Sequence, residues 1–386
     1  MKKHFFLWVI FGCIFILNAQ SVDTSEHIKF QIQELSKKND IKAINRLLNT
    51  NTYLDPEFTL KVIQNNLEKS LSEKAKENLA DTYLTLGNFW YTQGNQTKAF
   101  DNYLKSENLA KEIYDYRIQG LALMNRSHIP EDLNQKIRML KEAVEMLTEV
   151  QDTLNLAKAN LNLGNNYSLF VLNDKNSTGL LPSSAVPKYR SEAFKHYEIA
   201  QNLNKNIKNP EIEASVNVHY GEWYRFEKNY EKARNSFRKA EEFFVQAGRI
   251  KGKVYSLHQL ALIEKETGNP QNALTLLQEA EEISKKFDYI DYQVETYSQF
   301  LEIYKLLENH DQVLTYYDLF HEAALHLSEI NSRDKIHRIN LEHNLSESEY
   351  LLEKAENQKK HIPHFDGRFT HFNCIGFRRF LSDYSK

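Results

Sequence analysis

Arg225, Lys265 and Lys305 stand 40 residues apart at each step, so a basic side chain returns at a fixed interval. Such side chains hold carboxylates by charge-assisted hydrogen bonds, and a row of them suits an extended acidic ligand better than it suits a reaction. Glu222 and Glu302 precede Arg225 and Lys305 by three residues. On a helix that spacing permits ion pairs worth only about 0.2–0.5 kcal/mol each. Lys265 has Leu262 at the corresponding place, with His258 and Tyr255 as possible companions. The row is either a binding surface or a solvated face whose charges pair among themselves, and Lys265 is the member with no acid three or four residues before it.

Motifs that carry reactions are missing from the rest of the chain. No G-x-G pair occurs, and the one Gly-Lys step, Gly252-Lys253, is followed by Val254 where a phosphate loop needs Ser or Thr. There is no H-E-x-x-H helix, no G-x-S-x-G elbow and no C-x-x-C pair. His361, His364, His371 and Cys374 crowd together near the end, at spacings that match no established ligand motif. The expectation is therefore a protein without catalytic residues, cofactor or metal. A net charge of −3 gives no sign of nucleic acid as a partner.

What positions the basic row is a repeated pair of helices. In Ala214 to Ala247, counted from Ala214, small residues fall at position 8 (Gly221), 20 (Ala233) and 27 (Ala240). Aromatic residues fall at 7 (Tyr220), 11 (Tyr224) and 24 (Phe237). Small side chains let two amphipathic helices approach and aromatics fill the space beside them, with the bend at Lys228-Asn229. The pattern returns every 40 residues through Ala261, Ala273, Leu277 and Ala280, then Leu301, Val313 and Tyr317. Upstream, Gly87, Trp90, Ala99 and Tyr103 repeat positions 8, 11, 20 and 24. Gly164 and Tyr167 open a further copy, which Ala193, Tyr197 and Ala200 close.

A period near 40 also suits HEAT and armadillo arrays, but the small-aromatic-small placing resembles the tetratricopeptide repeat, or TPR. The resemblance implies an all-α, right-handed superhelical solenoid of helix pairs that serves as a binding scaffold. It also implies that positions 2, 5, 9, 12 and 13 of each first helix line a concave groove. Arg225, Lys265 and Lys305 are position 12 of the three regular repeats, and Glu222 and Glu302 are position 9. The partner implied is a peptide or protein.

The remaining segments are read from composition. Lys2 and Lys3 precede an apolar run from Phe5 to Leu17, followed by Ala19-Gln20, which predicts a signal peptide over 1–19. The run is short of the ~18 residues that span a bilayer, so a cleaved export signal is expected and an uncleaved anchor is the alternative. After cleavage only Cys374 is left, so no internal disulfide can form. Residues 27–79 are expected to cap the array and 80–327 to hold about six repeats, the second of them, 116–150, lacking its glycine. Gly, Pro and Ser in 173–189 predict a loop inserted in the third. Leu341, Leu345, Ser348, Leu352 and Ala355 set a short heptad seam in a charged helix over 328–360, either a coiled coil or a cap. An irregular tail, 361–386, follows.

Taken together, the signal segment, the 40-residue repeats and the charged helix are similar to the sensory half of bacterial TPR signalling proteins of the histidine-kinase or DNA-binding-regulator type. Where such proteins continue with a membrane helix, this chain has Glu356-Asn357-Gln358-Lys359-Lys360 and no apolar span. Two functions are thus expected. One is an exported scaffold, periplasmic or secreted, that holds a peptide or protein. The other is a sensory component truncated before its output domain. Membrane attachment enters only through an uncleaved N-terminal segment.

Overall fold

The structure is a computed structural model that describes residues 25–51, 54–129, 132–177 and 185–333. The expected signal peptide, the seam at 341–355 and the tail lie outside the described residues. Those described form fifteen helices and no strand, and none of the helices is long and apolar enough to cross a membrane. Three helices lead the array: α1 (25–37), α2 (Ile41–Thr50) and α3 (Pro56–Ser72). Asp55 caps α3 through the Phe58 amide, and Pro56 takes the first helical position.

The pairs follow in chain order. They are α4 (Lys76–Thr92) with α5 (Gln96–Glu112), α6 (Tyr116–Arg126) with α7 (Leu133–Glu149), and α8 (Thr153–Ser177) with α9 (Val186–Ile207). Then come α10 (Pro210–Phe226) with α11 (Tyr230–Gln246) and α12 (Ile250–Glu266) with α13 (Pro270–Lys286). The last pair is α14 (Ile290–Leu306) with α15 (310–333). The order is one of consecutive antiparallel helices, each packed on the next, as in a solenoid.

The 40-residue period has a simple origin. From α10 to α14 every helix has 17 residues and every turn has three. Each turn is the same device. The second residue takes a left-handed backbone, and the helix end closes by two backwards hydrogen bonds. At the first of these turns Lys228 N–H donates to Arg225 O and Asn229 N–H to Tyr224 O. The next residue is already the cap of the following helix, and the Asn229 side chain accepts from the Lys232 amide. Glycine fills the left-handed position at Gly94, Gly248 and Gly268, where it is unstrained. Lys74, Tyr114, Gln151, Lys228, Asp288 and Glu308 hold it without that advantage.

Helix pairing explains the small residues. A Cβ on Gly221 would sit 2.8 Å from three ring atoms of Phe237; on Gly87 it would meet Tyr103 at 2.4 Å, and on Gly164 Tyr197 at 2.3 Å. Each of these three glycines therefore seats a ring from the second helix of its pair. Most of the predicted packing positions are buried, while Tyr220, Tyr224 and Val313 are half-buried. The tryptophan one residue before Tyr224, Trp223, is fully buried in its stead, edge-on to Phe194 of α9 at 6.0 Å between ring centroids. Tyr224 is half-buried, flanked by Phe194 and covered by Lys232. In the last pair Leu301 stands in the small place and Tyr317 is largely exposed.

Two expectations need correction. Much of the 173–189 insertion is helical, because α8 runs on to Ser177 and α9 begins at Val186; only 178–184 fall outside the described residues. In the second pair the small place is not lost. Gly87, Gly164, Gly221 and Ala261 are each the twelfth residue of their helix, and the same step from Tyr116 reaches Ser127. Ser127 is buried and gives its hydroxyl to Met124 O at 2.6 Å at the end of α6, while Gly120 is the α6 residue that lies against Leu147 of α7.

Candidate functional site

The first helices of successive pairs touch one another, α4 against α6, α8 against α10 and α12 against α14. Along that line polar side chains reach from one helix to the next. In the N-terminal half they are amides. Asn88 donates to Asn49 at 2.9 Å and its own oxygen accepts from Asn125 at 2.8 Å and from Tyr103 Oη at 2.9 Å. Asn49 donates to Thr85 at 3.0 Å, and Asn45 to Asp81 at 2.8 Å. Burial raises the Asp81 carboxyl above the usual range, against the pull of the Asn45 hydrogen bond.

In the C-terminal half the links are charged. Tyr255 donates to Glu222 Oε1 at 2.6 Å, and His219 Nδ1 lies 3.1 Å from the other carboxylate oxygen. Burial works to raise the Glu222 carboxyl, but the hydrogen bonds from His219 and Tyr255 outweigh it, so the group is held below its ordinary range. The same burial, with Glu222 beside it, pushes the Tyr255 hydroxyl well up and keeps it a donor. Arg225 pairs with Glu266 of α12 at 3.2 Å, and Lys265 with Glu302 of α14. Lys305 has no acid within ion-pair distance among the described residues; it lines an open concavity with Lys265, Glu302 and Leu306.

The expected basic residues Arg225 and Lys265 are therefore not free rungs. The intrahelical pairs Glu222–Arg225 and Glu302–Lys305 do not form: Glu222 is held by His219 of its own helix and Tyr255 of α12, while Arg225 and Glu302 pair with Glu266 and Lys265 on neighbouring helices. Lys265, the rung expected to be unpaired, is paired with a residue 37 positions later, a contact that helix spacing alone could not show. His258 is no contact residue. It is buried between α12 and α14, with Nε2 2.7 Å from Thr296 Oγ1 and its ring stacked on Tyr292. Glu266, His219 and the amide series went unseen in the sequence, although the steps from Asn49 to Asn88 to Asn125 follow the repeat closely.

Comparison with known proteins bears on the fold. No protein-family model matches the chain, and no curated protein matches it. Among solved structures, a signal-transduction ATPase with numerous domains, PH0952 from Pyrococcus horikoshii, carries a tetratricopeptide repeat sensor and aligns at TM-score 0.56 and 15% identity. That alignment covers 79% of this chain and 46% of that one, so this chain spans about half the length of that relative. The fold is TPR-like. Two further structures align at TM-score 0.47. Aspartyl phosphate phosphatase F from Bacillus subtilis has 15% identity over 90% of this chain and 97% of that one. BtubC from P. vanneervenii has 14% over 58% and 88%.

Proposed function

We propose that this chain is a non-enzymatic TPR scaffold that holds an extended peptide or protein segment along its first helices. One observation carries the reading: polar side chains on these helices are fixed by partners on the next helix, from Asn45 to Lys265. Fixed donors and acceptors lose little side-chain freedom when a ligand arrives, so they favour binding in one geometry. Burial of aromatic and aliphatic residues between helices keeps the frame rigid, and the polar strip is left to meet a ligand.

Export is part of the proposal and rests on Lys2, Lys3 and the apolar run Phe5 to Leu17. Mass spectrometry of the protein from its host is expected to find an N-terminus at or near Gln20; an intact Met1 on a cytosolic protein would remove that part. The binding reading is tested by selecting random peptides on the purified protein and measuring the best of them by calorimetry. A saturable one-to-one complex is expected. If selection yields no peptide with dissociation below the millimolar range, the groove reading is wrong.

A further inference from the structure

The groove positions of α10, α12 and α14 carry charges that do not all cancel. Arg225 is neutralised by Glu266 and Lys265 by Glu302. Three others have no lysine, arginine or carboxylate partner of opposite sign within ion-pair distance among the described residues. Glu222 is bonded to His219 and Tyr255, and Glu295 to Gln299 at 2.8 Å. Lys305 is the one cation, exposed beside the exposed side chain of Leu306.

Their placement is asymmetric. Glu222 lies on α10 and Lys305 two pairs further on, on α14. Neighbouring packed helices are about 8–10 Å apart, so two steps amount to about 16–20 Å. Glu295 stands ten residues before Lys305 on the same helix, about 15 Å along its axis. Both lone acids are thus well removed from the lone cation. An extended chain advances about 3.3 Å per residue and covers the interval from Glu222 to Lys305 in five or six residues.

Building on the peptide-groove reading, we infer that this part of the groove is electrically polar and selects an extended peptide with a basic side chain about six residues from an acidic one. The basic side chain meets Glu222, whose two carboxylate oxygens are aimed by Tyr255 and His219. The acidic one meets Lys305, and an apolar neighbour beside it covers Leu306. Peptides with a single sign of charge meet repulsion at one end, so the arrangement excludes as well as attracts.

The test uses the full chain and fluorescein-labelled twelve-residue peptides read by anisotropy. Lysine and glutamate-leucine are placed three, six or nine residues apart, and control peptides carry two lysines or two glutamates at six. The wild type is expected to bind the six-spaced mixed peptide about tenfold or more tighter than either control, the scale of one charge-assisted hydrogen bond. Lys305→Glu is expected to reverse the order, so that the two-lysine peptide binds best. Lys305→Gln, which adds no new charge, removes the preference over the two-lysine peptide and keeps that over the two-glutamate peptide, which still meets Glu222; circular dichroism confirms that both variants are folded. Equal binding of mixed and like-charged peptides, or an order unchanged by Lys305→Glu, would overturn the inference and leave the groove reading standing. If neither these peptides nor any selected peptide binds, the groove reading fails and the inference with it.

Discussion

Replacing His258 by Gln should remove an acid-sensitive component of stability, and its size follows from the structure. Thr296 spends its one hydroxyl proton on Tyr292 O at 2.7 Å, so its oxygen must accept from His258 Nε2. The imidazole therefore carries a proton on Nε2. A second proton would place a charge on Nδ1 inside the α12–α14 interface. Burial pushes the His258 pKa down to about 4, with Glu295 pulling weakly the other way. An unfolded histidine titrates near 6.5. Between those values the unfolded chain binds the extra proton, so stability contributed by the neutral histidine falls as pH falls from about 6.5 to about 4. The 2.5-unit difference corresponds to about 3 kcal/mol. Urea unfolding at pH 7.5, 6, 5 and 4, followed by tryptophan fluorescence, measures it. His128 and His196, also lowered by burial, and all carboxylates are common to both proteins and cancel in the comparison. His258→Gln should lose about 3 kcal/mol less than wild type over the range. Parallel pH profiles for the two proteins would refute the buried neutral histidine.

Other substitutions probe the frame. Phe237→Ala should lower stability by about 3–5 kcal/mol, since its ring is fully buried against Gly221, while half-buried Tyr224→Ala should lower it by clearly less; equal losses in chemical denaturation would contradict the burial order. Gly221→Ala forces a Cβ to 2.8 Å from the Phe237 ring and should destabilise by about 1–3 kcal/mol despite the better helix propensity of alanine. Combining it with Phe237→Leu, the Ala-Leu pairing already used at Ala261 and Leu277, should recover part of that loss, and a purely additive double variant would show that the ring is not the obstacle. Lys228→Gly relieves a left-handed residue and should raise the melting midpoint, by an amount on the order of 1 kcal/mol; a lower midpoint would show that the side chain matters more than the backbone.

Much of the frame was legible because close packing leaves a periodic mark. Gly221, Ala233 and Phe237 recur at 40 since each is dictated by the same helix crossing. The mark fades where another residue takes the place, as the small, buried Ser127 does at the end of its helix. It misleads where two aromatics adjoin: Trp223 and Tyr224 differ by one helical step of 100°, and burial goes to the larger ring. At the candidate site the residue types were readable, the partners were not. Lys265 meets Glu302 and Arg225 meets Glu266 across helices, so whether a charge is free depends on stacking that sequence spacing does not encode. The 173–189 segment was misjudged because Gly, Pro and Ser mark a break without fixing its limits, and α8 and α9 extend into it from both sides.

The central claim, that the first helices bind an extended peptide, is tested most directly by amide hydrogen exchange with and without a selected peptide. Binding along the proposed groove should slow exchange in α10, α12 and α14, and in the α12 turn holding Lys265, while α11 and α13 change little. Protection confined to the second helices, α11 and α13, would place the ligand on the opposite face and contradict the account.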